Sequence, residues 1–205
     1  MTSRRQDIIN KSVELFNAQG FYNVSLKEIA KALEISPGNL TYHFPKKADL
    51  LRAIQEEIIR GAEVEFIPEE KIGLAHLEKL HQVHHQNQLR YRFYFNNLLY
   101  MFKAFPDIAE AYREVSRQRL ARGRELINYF VREGLFVPES EGINYDVLMK
   151  AFWMSSVFWT GQEAVLGSQE GPGQMDVLWG MTWPYLTEKG RAEYTQLQRE
   201  KQPIL

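Results

Sequence analysis

Apolar residues recur at helical spacing along most of the chain, and no segment shows the two-residue alternation of a β-strand. Near the N-terminus Ile9, Val13 and Phe16 form one apolar stripe, and Gly20 follows at a position that suits the end of a helix. The pattern predicts an all-α fold. Helices are expected at about residues 3–18, 25–33, 37–43, 46–65, 68–88, 89–104, 107–133, 145–166 and 174–189, followed by a polar tail that frays from residue 190.

Residues 25–43 contain the start signals of two short helices joined by a tight turn. Ser25 and Glu28 have the spacing of a capping box, in which each side chain hydrogen-bonds the backbone N–H of the other residue. Ser36 is a strong N-cap, and Pro37 loses no hydrogen bond at the first helical position. Ile35 is the apolar residue expected between two helices that cross steeply. The segment therefore predicts a helix-turn-helix.

The second of these helices presents side chains of the types that contact DNA. Leu40 and Phe44, four residues apart, are expected to anchor it to a core, because so short a helix is unstable alone. Hydroxyl and amide groups reach phosphates or base edges, and a glycine lets the backbone approach closely. Two lysines at the start of the next helix oppose its dipole and favour an external anion. The predicted DNA-binding residues are Ser25, Lys27, Ser36, Gly38, Asn39, Thr41, Tyr42, His43, Lys46 and Lys47.

The first quarter of the chain resembles the DNA-binding domain of the TetR family, the tetracycline-repressor-like bacterial regulators. That family's pattern runs from a Leu-Phe pair and a Gly-aromatic turn, through the helix-turn-helix, to a Tyr-x-His-Phe-like element and a lysine. The resemblance implies an N-terminal three-helix DNA-binding domain, here 1–47, and a larger helical effector-binding and dimerisation domain, here 48–205. The matching residues are Leu15, Phe16, Gly20, Phe21, Val24, Ile29, Ala30, Ile35, Ser36, Gly38, Leu40, Tyr42, His43, Phe44, Lys47 and Leu50.

Two positions depart from the family pattern. Glu34 stands in the turn where the family usually has glycine, so a left-handed backbone there would cost about 1 kcal/mol. Thr41 stands where the family commonly has an aromatic residue that contacts a phosphate. Its hydroxyl can still donate a hydrogen bond, but with shorter reach. We therefore expect Lys47, Tyr42 and His43 to be stronger contacts than Thr41.

Charge is divided unevenly along the chain. The net charge of the whole chain is −1, but residues 1–47 contain seven Lys or Arg against four Asp or Glu, a balance of +3. The remainder carries −4. This asymmetry favours a phosphate-binding face at the N-terminal end of an otherwise acidic protein. Because the excess is modest, DNA binding is expected to need a dimer and to weaken with salt.

Composition excludes several other classes of protein. The chain has no cysteine, which excludes disulfides, thiolate zinc sites and a cysteine nucleophile, and which suits a reducing cytoplasm. The N-terminal residues lack the apolar core of a signal peptide, and no run of about 18 apolar residues predicts a membrane span. A P-loop and the motifs GxGxxG, GxSxG and HExxH are absent, so neither enzyme activity nor a cofactor is predicted.

A cluster of aromatic residues marks the candidate effector site. Seven aromatics lie between residues 91 and 105, and such a stripe forms either the core of a helix bundle or the wall of an apolar pocket. The family resemblance implies that a small effector binds in the larger domain. The candidate pocket residues are Tyr94, Asn97, Tyr100, Met101, Trp153, Phe158 and Thr160.

Two groups of polar residues could form binding sites but are better explained as ordinary polar side chains. His81 and His85, with His84 and Glu78 nearby, have a spacing that can hold a metal ion. Two ligands do not define a site, so solvated or capping histidines are expected and no metal is predicted. Five arginines between residues 113 and 124 are interspersed with glutamates, which favours a solvated, ion-paired helix face over an anion site.

The tryptophan-rich C-terminal part is expected to form the dimer interface. All four tryptophans lie between residues 153 and 183. The family resemblance implies a homodimer through the last two long helices, which places two recognition helices about one DNA turn apart on a palindromic operator. The predicted function is a transcriptional regulator, most simply a repressor, released from double-stranded DNA by a small, largely apolar effector. The alternative is a DNA-binding protein controlled by a protein partner, or one that organises DNA, without a small effector.

Overall fold

The computed structural model describes residues 3–63, 72–167 and 171–201, and within these ranges the chain forms helices and no β-strand. The predicted all-α fold is confirmed. No helix in these ranges combines the length and apolar character that crossing a membrane requires. The helices are α1 Arg4–Gln19, α2 Leu26–Ala32, α3 Pro37–His43, α4 Lys47–Gly61, α5 Leu74–Arg90, α6 Arg92–Phe95, α7 Leu98–Ala104, α8 Pro106–Arg132, α9 Tyr145–Val157, α10 Trp159–Leu166, α11 Gln174–Thr182 and α12 Glu188–Glu200.

The chain forms two compact units, and each unit is made of two separate segments of the sequence. Unit 1 comprises residues 1–63 and 86–113, and unit 2 comprises residues 64–85 and 114–205. The helices α5 and α8 each contribute residues to both units. The division at residue 47 into DNA-binding and effector-binding domains concerns function and stays a prediction. The predicted helix start at residue 68 lies outside the described residues.

The single helix predicted for residues 89–104 is wrong. The helix α5 continues to Arg90, and the backbone then leaves helical geometry at Tyr91 and again at Asn97. The side chain of Asn17 in α1 forms two hydrogen bonds with the backbone at this break. Its amide Nδ2 donates to the Arg90 carbonyl at 2.8 Å, and its Oδ1 accepts from the Phe93 N–H at 3.0 Å. The interruption therefore depends on a residue more than seventy positions earlier in the chain, which no local pattern could reveal.

The last two long helices predicted from the sequence are also interrupted. The first breaks at Phe158, which separates α9 from α10. The second ends at Thr182 and continues as a 3-10 turn, Trp183–Tyr185. Pro184 lies in this turn, where it has no N–H to donate and its ring hinders continuation of an α-helix.

The expected frayed tail is in fact helix α12. Thr187 caps it by accepting from the Gly190 N–H at 3.1 Å, and the Thr187 hydroxyl donates to the Gly134 carbonyl at 2.6 Å. Gly190 lies so close to the Leu135 carbonyl that an added Cβ would clash with its oxygen. The Glu193 carboxylate accepts from the Leu74 N–H at 2.6 Å. These contacts lie within unit 2, and they order a polar segment that has a weak apolar pattern of its own.

Unit 1 is built around apolar residues of α1, α2, α3 and α4. Phe16 of α1 packs at ring-centroid distances of 5.1 Å on both Phe21 and Phe93. Gln55 of α4 is buried, and its amide donates to the Ile108 carbonyl at 2.7 Å and to the Tyr94 hydroxyl at 3.1 Å. The buried apolar side chains of the four helices include Ile8, Ile9, Val13, Phe16, Ile29, Leu40, Leu50, Leu51, Ile54 and Ile58.

Unit 2 has its own apolar core, supplied by α5, α8, α9, α11 and the segments that join them. Four aromatic rings contact one another in sequence, with centroid distances of 5.3, 5.9 and 5.4 Å along Phe130, Phe136, Tyr145 and the half-buried Tyr185. The other buried members of the core are Leu74, Leu77, Ile127, Leu135, Leu148, Met149, Trp179 and Leu186.

Two histidines of α5 are held in their neutral form inside unit 2. Burial lowers the pKa of His81 to about 4. Burial, together with the neighbouring charges of Arg119 and His81, lowers the pKa of His84 to about 3. The expectation of solvated or capping histidines is wrong for His81 Nε2 and His85 Nδ1, which are buried and have no hydrogen-bond partner among the described residues. Those residues contain no group of three side chains suited to a metal ion.

The buried histidines predict that stability falls in mild acid. Between pH 6.5 and about 4 the unfolded chain binds a proton at His81 that the folded chain does not bind, so stability is full above pH 6.5 and is lost as the pH falls towards 4. From His81 alone the loss is up to about 3 kcal/mol. Urea denaturation at several pH values should therefore show a flatter pH dependence for His81→Gln than for the unsubstituted protein.

Val83→Ala is the control, since it changes a partly buried side chain of the same helix that does not ionise. It should keep the pH dependence of the unsubstituted protein even if it lowers stability uniformly. Equal pH dependence for His81→Gln and the unsubstituted protein would contradict a neutral, buried His81.

Candidate nucleic-acid interface

The helix-turn-helix forms with the caps that its sequence predicts. Ser25 Oγ accepts from the Glu28 N–H at 3.2 Å, and the Glu28 carboxylate accepts from the Ser25 N–H at 2.6 Å. The hydrogen bonds from Ser25 lower the pKa of Glu28. Ser36 Oγ accepts from the Asn39 N–H at 3.1 Å, and Pro37 occupies the first turn of α3. Both helices therefore begin at the predicted residues.

The turn between α2 and α3 has a left-handed residue at Glu34, whose φ is 56°. The Ile35 N–H donates to the Ala30 carbonyl at 3.0 Å, and the Glu34 N–H donates to the Lys31 carbonyl at 3.1 Å. This pair of bonds is a Schellman motif, in which glycine is favoured at the left-handed position. A side chain there costs about 1 kcal/mol. The strain that the sequence suggested at this turn is present.

The apolar side of α3 is buried and its polar side faces outwards. Leu40 and Phe44 are buried, as predicted, and they hold the seven-residue helix against unit 1. Tyr42 is 83% exposed. Of the ten predicted DNA-binding residues, His43 and Lys47 are partly buried, and the other eight are exposed: Ser25, Lys27, Ser36, Gly38, Asn39, Thr41, Tyr42 and Lys46.

Thr41 uses its hydroxyl within α3. Its Oγ1 lies 3.0 Å from the Pro37 carbonyl and 3.2 Å from the Gly38 carbonyl, so the hydroxyl proton bonds the helix backbone. The oxygen lone pairs stay available to an outside donor, but a phosphate needs a donor rather than an acceptor. The arrangement agrees with a lesser role for Thr41 than for Tyr42.

Lys47 is bound inside unit 1. Its ammonium donates to the Phe21 carbonyl and lies over the Phe21 and Phe16 rings, 4.2 and 5.4 Å from their centroids. Burial lowers the pKa of Lys47, and the nearby Glu28 charge opposes that shift. The ammonium therefore joins the start of α4 to the end of α1. The phosphate contact predicted for Lys47 stays a prediction, and the spacing in the sequence could not show this internal partner, 26 residues earlier in the chain.

Arg5 is a candidate contact that the sequence interpretation left out of the site. It is exposed near the start of α1, and its guanidinium lies 5.1 Å from the ring centroid of Phe44, directly after α3. Its charge contributed to the basic balance of residues 1–47, but nothing in the sequence placed it beside the recognition helix. Lys46 is exposed, and its backbone N–H donates to the Asp49 carboxylate at 2.9 Å.

The candidate effector residues are divided between the two units. Tyr94, Asn97, Tyr100 and Met101 belong to unit 1, and Trp153, Phe158 and Thr160 belong to unit 2. Tyr94 and Met101 are fully buried, and burial raises the pKa of Tyr94. Tyr100 is exposed and packs edge-on against Tyr22, with a centroid distance of 4.8 Å. Asn97 donates to the Phe93 carbonyl at 2.9 Å.

The three remaining candidates, Trp153, Phe158 and Thr160, lie in unit 2. The Trp153 ring meets the edge of the Phe158 ring at 6.3 Å, and Phe158 is partly exposed. Thr160 is buried. The pocket as predicted from the sequence stays a prediction.

The geometry of unit 1 is that of a helix-turn-helix DNA-binding regulator. Two family models match the chain: "Bacterial regulatory proteins, tetR family" over residues 8–54, and "TetR: Bacterial transcriptional repressor" over residues 61–194. Together they cover most of the sequence. The chain belongs to the TetR family of bacterial transcriptional regulators, which are not enzymes. The resemblance inferred from residues 15–50 is therefore confirmed.

Individual relatives agree with this assignment. The HTH-type transcriptional regulator UidR of Escherichia coli K12 is 44% identical over 50 residues, which are 24% of this chain and 26% of UidR. This chain therefore spans about a quarter of the length of that curated relative. A TetR-family transcriptional regulator from Marinobacter aquaeolei VT8 superposes with a TM-score of 0.86 at 25% identity, covering 98% of this chain and all of the other.

A transcriptional regulator from Saccharomonospora viridis, solved in complex with choline, superposes with a TM-score of 0.70 at 18% identity. The superposition covers 90% of this chain and 97% of that one. At this identity the likeness concerns the fold.

The strained turn predicts a stabilising substitution. Glu34→Gly should raise the free energy of unfolding by about 0.5–1 kcal/mol, because glycine adopts the left-handed conformation without a clash but loses more freedom on folding. Chemical denaturation followed by circular dichroism measures the difference. Glu34→Ala removes the same charge and keeps the Cβ atom, so it should give no gain. Equal stabilisation by both substitutions would show that the charge, and not the backbone, is responsible.

Proposed function

We propose that this protein is a homodimeric repressor that binds a palindromic operator and is released from it by a small, largely apolar effector. The observation that carries the proposal is the orientation of α3, whose apolar side is buried while Tyr42, Asn39 and Gly38 face outwards. A helix of this kind enters the major groove with its N-terminal residues towards the base edges. The family model described as a bacterial transcriptional repressor supports repression as the mode of action.

Within the proposed interface, different residues have different tasks. The N-terminal part of α3 presents Gly38 and Asn39, which suit close approach and base-edge hydrogen bonds. Tyr42 and Lys46 are exposed and suit phosphate oxygens, and Lys27 and Arg5 add positive charge to the same unit. Lys47 acts from inside the unit, because its ammonium already bonds the Phe21 carbonyl.

Unit 2 has an exposed apolar surface that suits the proposed dimer. Val147 and Met154 lie seven residues apart on α9, hence on one face, and both are exposed. Val165 and Leu166, at the end of α10, are exposed as well. We propose that these residues belong to one exposed apolar patch, the kind of surface that typically contacts another protein chain. In a two-fold dimer the same surface serves both subunits and sets the spacing of the two recognition helices.

The proposed response to the effector acts on α4, the helix that follows the recognition helix. Gln55 ties α4 to Ile108 and Tyr94, and the Asn87 side chain donates to the Ile58 carbonyl at 2.8 Å. These partners belong to α5, α6 and α8, and two of those helices also contribute residues to unit 2. A displacement of α5 or α8 by a bound effector therefore pulls on α4 and changes the separation of the two recognition helices. The choline found in the Saccharomonospora viridis regulator supports a small-molecule effector.

The first test concerns the phosphate contacts. An operator obtained by selection from random DNA allows binding to be followed by fluorescence anisotropy as salt is varied. Lys46→Ala should weaken binding to all sequences and should lower the salt slope by about 0.9 for each lysine removed, hence by about 1.8 for a dimer. Lys79→Ala, which removes an exposed lysine of unit 2, should leave both quantities unchanged.

Lys47→Ala separates the internal role of this lysine from a phosphate contact. We expect weaker binding and lower stability with an unchanged salt slope, because the substitution removes a bond within unit 1. A slope change equal to that of Lys46→Ala would instead assign Lys47 to a phosphate.

The second test concerns the dimer. Met154→Asp should shift the protein from dimer to monomer in native mass spectrometry at micromolar concentration, because it introduces a charge into the proposed apolar interface. Leu99→Asp is the matched control: Leu99 is 73% exposed but belongs to unit 1, so the dimer should persist. The proposal fails if the unsubstituted protein is a monomer under these conditions.

A further inference from the structure

One face of α5 carries a row of polar side chains inside unit 2. Glu78, His81 and His85 are separated by three and four residues, so they lie one above another on a single face of the helix. Leu74 and Leu77 lie next to this row and are buried. Glu78 is only 5% exposed. The row therefore faces protein rather than solvent.

Buried atoms of this row lack partners within the described part of the chain. They are Glu78 Oε2, His81 Nε2 and His85 Nδ1, and Trp179 Nε1 of α11 shares the same condition. Buried polar atoms in folded proteins are almost always hydrogen-bonded, to protein, to water or to a ligand. The four atoms in this unit therefore call for partners from outside the described residues.

The Glu78 carboxylate is held in position by its other oxygen. That oxygen accepts from Gln82 Nε2 at 2.9 Å and from the Lys201 ammonium of the C-terminal segment. The lysine also balances the carboxylate charge. Glu78 Oε2 is thus a fixed acceptor in a locally neutral pair, and it suits a neutral donor better than a second cation.

Aromatic rings lie beside two members of this row, Glu78 and His81. The Trp179 ring packs on Tyr194 of α12 with a centroid distance of 4.6 Å. Burial, followed by the charge of Glu78, raises the pKa of Tyr194, which indicates that the carboxylate lies near the same ring. On the next turn of α5 the His81 ring meets Phe152 of α9 at 5.7 Å. A ligand at these atoms has apolar ring surfaces beside its polar group.

The chemistry of the unpartnered atoms selects the polar group of the ligand. Glu78 Oε2 only accepts, Trp179 Nε1 only donates, and each neutral imidazole nitrogen does one or the other. A hydroxyl group suits three of these atoms, because its proton can go to Glu78 Oε2 while its two lone pairs accept from Trp179 Nε1 and from an N–H at His81 Nε2. We propose that unit 2 binds a small neutral molecule with an apolar body and a hydroxyl group, an alcohol or a phenol, through Glu78, His81 and Trp179. The inference rests on the proposed effector-responsive function and specifies the class of effector.

The test compares probes that differ only in the hydroxyl group. The probes are phenol against toluene and cyclohexanol against methylcyclohexane, titrated into the full-length protein without DNA. The four indole N–H signals in the nitrogen-15 spectrum report binding at each tryptophan. We expect a hydroxylated probe to shift the Trp179 signal saturably and to bind at least tenfold more tightly than its methyl counterpart. Equal affinities within both pairs, or no saturable shift at Trp179, would overturn the proposal and leave water as the partner of these atoms.

Two substitutions test the residues themselves, with ligand-observed titrations as the readout. Trp179→Phe keeps an aromatic ring and removes the N–H, and Glu78→Gln replaces the acceptor oxygen or its neighbour by an amide nitrogen. Each should reduce the tenfold preference for the hydroxylated probe to about twofold or less. Trp183→Phe is the control, since Trp183 is 41% exposed and its N–H is not among the buried unpartnered atoms. An unchanged preference in Trp179→Phe, with the fold verified by circular dichroism, would exclude the indole from the site.

Operator binding then separates this inference from the proposed function. If a hydroxylated probe binds with the expected preference but leaves operator affinity unchanged, the site stands and its role as the effector site fails. If no hydroxylated probe binds, while the dimer still binds its operator and is released by another compound, the site fails and the proposed function stands.

Discussion

The position of the recognition helix depends on the burial of Leu40 and Phe44. With seven residues, α3 is too short to persist by its own hydrogen bonds, so its stability comes from the core it contacts. The same burial decides which side chains face outwards. Any change that loosens the core of α1, α2 and α4 therefore also changes what the helix presents to DNA.

The connection from α3 to α4 is stabilised by the ammonium of Lys47, for which the sequence predicts a phosphate contact. The Lys47 ammonium lies against two phenylalanine rings and a backbone carbonyl, where it joins the end of α1 to the start of α4. Amino-cation contacts with aromatic faces are favourable where water is partly excluded. The strained residue Glu34 precedes α3 in the chain, whereas Lys47 follows it. The recognition helix is thus preceded by a strained turn and followed by an internally bonded lysine.

The two units differ in whether their buried polar groups have hydrogen-bond partners. In unit 1 the buried amide of Gln55 has two partners, and it joins α4 to later helices. In unit 2, polar atoms of Glu78, His81 and Trp179 are buried without partners among the described residues. A core that retains such atoms sacrifices stability, which natural proteins do mainly at sites that bind something.

The sequence by itself determined the helical class, the helix-turn-helix and the residues at which α2 and α3 begin, because caps and apolar periodicity act within about four residues. It also identified the exposed polar face of α3. Only the tertiary structure decided the breaks at Tyr91 and Phe158, the ordered helix α12 and the partner of Lys47. The break at Tyr91, helix α12 and the position of Lys47 depend on contacts between residues far apart in the chain, such as Asn17 with Arg90 or Glu193 with Leu74. Local pattern has no information about such distant pairs, and the folded chain alone brings them together.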